Sequence, residues 1–374
     1  MIIRLRVIGP VALILLFLGV PGARAQNAIE VDRARSEPRF AIAVAMSPVT
    51  VVPAAGAATV TPPQGRLLRI HFAVEGTVPV GWTIEVRSNG NAWWSPALDA
   101  DTGDLWSDQI GRSGQPPASA TVQLIGPAGT TPPRVVVDRV SVPQDHATPQ
   151  AITPPSDQSR SIADASNRIK GWGRSVARLQ FVGDDGGGYF CTAFLVSPSL
   201  MLTNNHCIGN HAEMKSAVAE FDYDVAEPSE RRRFKELVLH DQGLDYALLR
   251  LAQPSTRAPL TLAPLPLTEH QGLVIVEHPR GARKRFSRVD CHVRGPELPG
   301  LGPAKTDFGH YCDTEGGSSG SPIQDFSSGK VIGLHHLGFE PGQPNPVNRG
   351  VKIGLVLDDI QQRKPAVRTE IVTP

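Results

Sequence analysis

Along much of this chain apolar residues fall at every second position, the period of a strand with one buried face. In Leu68-Arg69-Ile70-His71-Phe72-Ala73-Val74 the apolar side chains share one face, and Trp82-Thr83-Ile84-Glu85-Val86-Arg87 alternates in the same way. Val122-Gln123-Leu124 and the stretch from Val135 to Val142 repeat the pattern, with Gly, Pro and Asn between them. Short alternating runs separated by turn residues predict antiparallel strands. Residues 26–145 therefore read as a small β-sandwich, a pro- or accessory domain. Trp93, Trp94 and Trp106 are expected to pack in or beside its core, with an aromatic ligand platform as the alternative.

The pattern breaks at both ends of this region. From Pro143 to Arg160 the chain is polar and proline-rich without period, which predicts a semi-extended linker over residues 146–165, open to proteolytic processing. At the N-terminus, Arg4 and Arg6 precede the apolar run Val11 to Leu18, and Ala23-Arg24-Ala25 follows Pro21 and Gly22. A positive start, a short apolar core and a small-x-small site predict a secretory signal peptide over residues 1–25, with the mature chain starting at Gln26. The run is too short to span a bilayer comfortably, so no stable membrane anchor is expected. The predicted location is periplasmic or extracellular, where the four cysteines would form disulfides.

Composition adds little beyond this. The chain has 374 residues, 36 Gly and 34 Pro, consistent with many turns and short strands. A formal net charge of +1 gives no sequence-wide field toward nucleic acid or an anionic membrane.

The chemistry lies in the second half. Gly188 to Val196 is an apolar strand, and after a turn Leu202-Thr203-Asn204-Asn205-His206-Cys207 ends a second strand at a histidine. Leu244-Asp245-Tyr246-Ala247-Leu248-Leu249 places an acid immediately before a strand. Val274 to Gly281 is a third stretch. The fourth, Asp313-Thr314-Glu315-Gly316-Gly317-Ser318-Ser319-Gly320-Ser321-Pro322, precedes the strand Val331-Ile332-Gly333-Leu334-His335-His336. A serine needs an adjacent base to attack at neutral pH, and a histidine oriented by a carboxylate is suited to that task.

Taken in order, these stretches resemble the chymotrypsin/trypsin superfamily of serine proteases, most closely its bacterial V8-protease or glutamyl-endopeptidase branch, over about residues 170–360. Gly317 to Pro322 matches the family's G-x-S-G-[GS]-P, and Thr203 to Cys207 matches T-A-x-H-C with Asn204 in place of alanine. The resemblance implies an all-β fold: a chymotrypsin-like double β-barrel over residues 166–365, each barrel six-stranded, with 366–374 as a tail. It assigns His206 as base, Asp245 as its orienting acid and Ser319 as nucleophile, with the N–H groups of Gly317 and Ser319 as the oxyanion hole. Ser318 stands where trypsins carry the aspartate that pairs with a new N-terminus, so that activation switch is expected to be absent.

The function implied is a secreted serine endopeptidase acting on protein or peptide substrates, with no cofactor, no metal and no nucleic-acid partner. Four cysteines allow three pairings; the inferred fold favours Cys191–Cys207 and Cys291–Cys312. Specificity stays open at this level. Asp313 lies six residues before Ser319, where trypsin's basic-residue-selecting aspartate lies. Thr314 and His335 instead match the residues that hold a substrate carboxylate in glutamyl endopeptidases, which favours Glu or Asp at P1. A secreted binding protein built on a protease fold is the reading from another class. The oligomeric state is not legible.

Overall fold

A computed structural model of the chain describes residues 39–53, 56–63, 65–99, 102–111, 115–144, 150–152, 156–224, 228–339 and 347–374. The signal-peptide reading of residues 1–25 lies outside them.

Eight strands form the first region: β1 (Arg39–Val51), β2 (Ala58–Val60), β3 (Arg69–Glu75), β4 (Thr83–Ser88), β5 (Asn91–Trp94), β6 (Leu105–Trp106), β7 (Ala120–Ile125) and β8 (Arg134–Pro143). They build two four-stranded layers, ordered β2-β7-β4-β5 and β1-β8-β3-β6. Ile84 and Val86 of the first layer share one buried cluster with Ile70, Phe72, Val137 and Val140 of the second. Burying side chains of this size contributes roughly 1.5–3 kcal/mol each. Trp94 belongs to that cluster and stacks on Phe72, so it serves packing.

β3 shows why alternation is only half the story. Its apolar residues face the sandwich core, yet its polar residues are buried as well: Arg69 and His71 are almost fully enclosed. The Arg69 guanidinium donates to Ser216 O, so this face lies against the C-terminal half rather than in water. The layer also continues into that half, because β1 pairs with β12 (Gly188–Leu195) at Arg39↔Tyr189 and Ala41↔Gly188.

Before the C-terminal half come two short strands, β9 (Gln150–Ala151) and β10 (Arg160–Ser161). The described parts of the expected linker are docked on the C-terminal half. β9 pairs with β20 (Thr314–Glu315), β10 pairs with β18 (Arg285–Ser287), and the Gln158 N–H donates to the Asp313 carboxylate at 2.8 Å. Backbone groups that alternation could not assign to a strand find partners here on exposed strand edges.

The first barrel comprises β11 (Val176–Val182), β12, β13 (Leu200–Thr203), β14 (Val218–Phe221), β15 (Glu230–Asp241) and β16 (Tyr246–Leu251). The order β11-β14-β15-β16-β13-β12 returns on itself through the β11–β12 pairing, a closed six-stranded barrel. Helix α1 (Asn167–Gly173), capped by the Ser166 hydroxyl, leads into it, and α2 (His211–Ser216) follows β13.

The second comprises β17 (Leu273–Glu277), β18, β19 (Asp307–His310), β21 (Pro322–Asp325), β22 (Val331–Leu337) and β23 (Asn348–Lys352), with β20 outside its sheet and paired to β9. Its sheet runs β10-β18-β17-β21-β22-β23-β19, so a linker strand joins it as a seventh. Closure comes from isolated bridges, Val293↔His310 and Leu298↔Asp307, rather than from a full strand pair. The expected double barrel is thus present.

Disulfides join Cys191 to Cys207 and Cys291 to Cys312, the pairs the inferred fold favours. Each contributes about 3 kcal/mol in the chain-entropy picture. After α3 (Ile353–Arg363) and α4 (Pro365–Arg368), the expected tail proves to be structural. Ile371 is buried, Val372 exchanges backbone hydrogen bonds with Val196 and Leu262, and Glu370 forms a bidentate pair with Arg250. Its apolar residues complete the shared core of the two barrels. Among the described residues, no helix is long and apolar enough to cross a membrane.

Candidate active site

β13 ends at Thr203, whose hydroxyl donates to Thr192 O on β12 at 2.8 Å. The turn after it carries His206 and is pinned to β12 by the Cys191–Cys207 bridge. Asp245 comes from the other side, one residue before β16. Its backbone is left-handed (φ +45°), a conformation aspartate tolerates better than most residues. Asn204, the residue that departs from the family pattern, donates through Nδ2 to Asp245 O at 2.8 Å and so helps hold that turn.

The two side chains meet closely. The His206 N–H donates to Asp245 Oδ1 at 2.9 Å, and His206 Nδ1 lies 2.7 Å from Oδ2. Burial alone would raise the Asp245 carboxyl, but His206 and His336 outweigh it and hold its pKa well below the usual carboxylate range. An ionised carboxylate accepts only, so His206 carries its proton on Nδ1 and leaves Nε2 to act as a base.

Ser319 lies on the loop between β20 and β21. Ser319 O accepts the Thr192 N–H at 2.8 Å, and Gly320 donates to His335 O at 2.9 Å, so the loop is tied to both barrels. Gly320 must be glycine: φ is +86°, and a Cβ there would collide with Thr192 O. Gly317 has φ +94° and would press a Cβ to 2.8 Å from His278 O. The carbonyls around it are held. Gly316 O accepts the Arg280 N–H at 2.6 Å, and Gly317 O accepts the Thr192 hydroxyl at 2.9 Å. The His278 N–H donates to that same hydroxyl at 3.0 Å. In a trans peptide the N–H points opposite to its carbonyl. The Gly317 N–H is accordingly turned away from the 279–281 turn that holds Gly316 O.

The three expected pocket residues part company. Asp313 is buried and its carboxylate accepts from the linker backbone. Thr314 is buried with an Oγ1 that has no hydrogen-bond partner in the structure. His335 lies beside His310, with Nδ1 and Nε2 3.2 Å apart. Burial drives His335 well below the normal histidine range and His310 down to about 3, so both rings are neutral at pH 7. Ser318 is fully buried and accepts the Glu315 N–H at 3.2 Å. Near it Glu277, on β17, is enclosed and raised far above the carboxylate range, first by burial and then, against an opposing hydrogen bond from Ser318, by Glu315, Asp313 and Asp157.

Residues 191–334 match the sequence model of the trypsin-like peptidase domain. Two curated proteins are similar in sequence. Secreted RxLR effector protein 73 of Plasmopara viticola is 30% identical over 187 residues, 45% of this chain and 45% of that protein. An uncharacterised protein of Sinorhizobium fredii is 29% identical over 190 residues, 44% of this chain and 28% of its own length. The match therefore spans less than half of each relative. Among solved structures, the Rv3671c protease of M. tuberculosis in its active form aligns at TM-score 0.44 and 17% identity, over 59% of this chain and 93% of that one. The HtrA-type protease AlgW with a tripeptide aligns at TM-score 0.42 and 18% identity, over 54% of this chain and 63% of that one.

Several residues around His206, Asp245 and Ser319 were not singled out by motif. Thr192, Glu277, His278 and Arg280 sit inside stretches that the sequence does flag; the Thr192 hydroxyl links the barrels through the His278 N–H and Gly317 O, and the Arg280 N–H holds Gly316 O within the second. Asp307 and His310 carry no local signal, since each matters only through a partner distant in sequence. One apparent cluster is not a metal centre: Cys191, His206 and Cys207 come together, but both sulfurs are committed to a disulfide.

Proposed function

We infer that this chain is a secreted serine endopeptidase that cleaves peptide bonds through Ser319, His206 and Asp245, preferring Glu or Asp at P1. The observation that carries the reading is the double contact between His206 and Asp245, at 2.9 and 2.7 Å, which fixes both the position and the tautomer of the base. Ser319 Oγ would attack the scissile carbonyl as His206 Nε2 takes its proton. The N–H groups of Gly317 and Ser319 would receive the oxyanion, in a loop that Thr192 and Arg280 hold rigid. His206 then returns the proton to the leaving amine as the C–N bond breaks, and water releases the acyl group by the same route.

For the acidic P1 preference, the supporting features are the unpartnered Thr314 hydroxyl and the buried His335–His310 pair. A buried donor without a partner costs free energy until a ligand satisfies it. The carboxylate of Asp313, by contrast, is already engaged by the Gln158 N–H, which counts against a basic P1 side chain. Export is supported by two disulfides and by the N-terminal sequence; the similar protein of P. viticola is itself named as secreted.

Digestion of a peptide library by the purified protein, with Ser319→Ala as control, tests activity and preference together. Cleavage after Glu and Asp, absent in the variant, is expected. Cleavage confined to Lys and Arg would overturn the preference alone. No cleavage at all would favour a non-catalytic binding protein on a protease fold.

A further inference from the structure

The carboxylate that orients His206 has a second histidine on it. Asp245 Oδ2, 2.7 Å from His206 Nδ1, is also 3.2 Å from Nδ1 of His336, and the other ring nitrogen of His336, Nε2, is 2.9 Å from Asp307 Oδ2. All four groups are essentially excluded from solvent. We propose that His336 is a positioning residue that works as an imidazolium at neutral pH, clamping Asp245 to Asp307 and setting the charge balance of the triad. The inference rests on the peptidase reading and adds a fourth and fifth residue to its machinery.

Proton counting supports the charge. Both nitrogens of His336 face carboxylate oxygens, and an ionised carboxylate can only accept. Asp307 Oδ1 already accepts the Thr306 hydroxyl at 2.9 Å, and Asp245 Oδ1 accepts the His206 N–H. Two acceptors on the two nitrogens of one ring require a proton on each. Burial disfavours that cation, but Asp245 and Asp307 outweigh burial and push its pKa up to about 9.

The remaining titratable groups around it fit. His335 on the same strand and His310 on β19 are held neutral, and His206 is the base itself. On β23 the guanidinium of Arg349 is directed to Pro299 O and the ammonium of Lys352 to Glu297. Neither competes for the two carboxylates.

The arrangement explains why a second acid is needed. An imidazolium alone on Asp245 would neutralise it and make His206 a poorer base. With Asp307 present, two anions face one cation while His206 is neutral. When His206 takes the proton of Ser319 the buried cluster reaches two anions and two cations, so the balance is best in the charged state that catalysis passes through.

The test combines imidazole NMR with kinetics. In Ser319→Ala, which cannot digest itself, nitrogen-labelled His336 should be protonated at both nitrogens through pH 8 and titrate near 9. In the active protein kcat/KM should fall above that pH with KM little changed. Asp307→Asn should move the His336 titration and the alkaline fall in activity together, by one pH unit or more toward neutral. His336→Ser should lower kcat and leave Asp307 an unpaired charge. Because that variant can fail to fold, His336→Ser/Asp307→Asn is the companion: it should be more active than the single variant and lack the fall near pH 9. A His336 ring with one bare nitrogen at pH 7, or an alkaline limb that Asp307→Asn leaves in place, overturns the proposal. No turnover by the wild type with His336 doubly protonated would overturn the peptidase reading and leave the charge assignment standing.

Discussion

Two buried polar clusters lie side by side on β22, and they are built on opposite principles. Around His336 the hydrogen bonds close on charged groups: both carboxylates, Asp245 and Asp307, hold the one imidazolium between them despite complete burial. At His335, one residue earlier, the rings themselves are uncharged. Burial, with the repulsion of His336, keeps His335 and His310 neutral, and on β20 the buried Thr314 hydroxyl has no partner. A closed network rigidifies what it contains, whereas unsatisfied donors are what a ligand site looks like before its ligand arrives. On the proposed reading the first cluster serves orientation and the second recognition. The two should fail differently when perturbed.

The largest effect is expected in the closed cluster. Asp245→Asn keeps the shape but loses the acceptor that fixes the tautomer of His206, and kcat should drop about 10^4-fold with P1 preference unchanged. A change of preference instead would show that the two clusters are not separable. Next comes Thr192→Val, which removes the hydroxyl bridging the His278 N–H and Gly317 O. Steady-state kinetics should show a fall in kcat on the order of 10- to 100-fold with little change in KM, because the oxyanion loop loosens while the pocket stays.

The open cluster should respond in selectivity. His335→Ala is expected to lower kcat/KM for Glu substrates roughly tenfold or more, with a much smaller loss for substrates with a neutral P1 residue. Both imidazoles are neutral when free, and a bound carboxylate favours the protonated ring, so binding draws in protons. The bound state then carries more protons than the free one, so affinity for an acidic side chain must weaken as pH rises. KM for a Glu substrate should therefore increase with pH across the enzyme's working range, while that for a neutral-P1 substrate stays level. A pH-independent ratio of the two would remove the histidines from P1 recognition. The smallest effect is expected for Asp313→Asn. Its carboxylate is spent on the Gln158 N–H, so P1 preference should shift less than about threefold.

The contrast also explains what the sequence could disclose. The double barrel was legible because alternation, two cysteine pairs and three motifs in order all point to one fold. His206, Asp245 and Ser319 could be proposed from sequence because each sits in a local signature, and the contact between His206 and Asp245 follows from the fold. The network around His336 was not. A histidine after His335 reads as ordinary strand, and Asp307 has no motif until β19 brings it to β22 through β23. The docking of the linker on β20, and of residues 369–374 on the first barrel, was hidden likewise. Polar or Pro-rich segments without period give no sign of the edge they will pair with. Arg69 and His71 illustrate the reverse limit: their alternation was read correctly, but nothing in it says that the polar face is covered too.

The central claim is that Ser319 is a nucleophile activated by His206 and Asp245. Labelling the native protein with a fluorophosphonate, followed by peptide mass mapping, reads this without assuming a substrate. The account predicts one adduct per chain, on Ser319, formed in wild type and Ser318→Ala and lost in His206→Ala. An adduct on Ser318 or Ser321, or no adduct on folded protein, would contradict it.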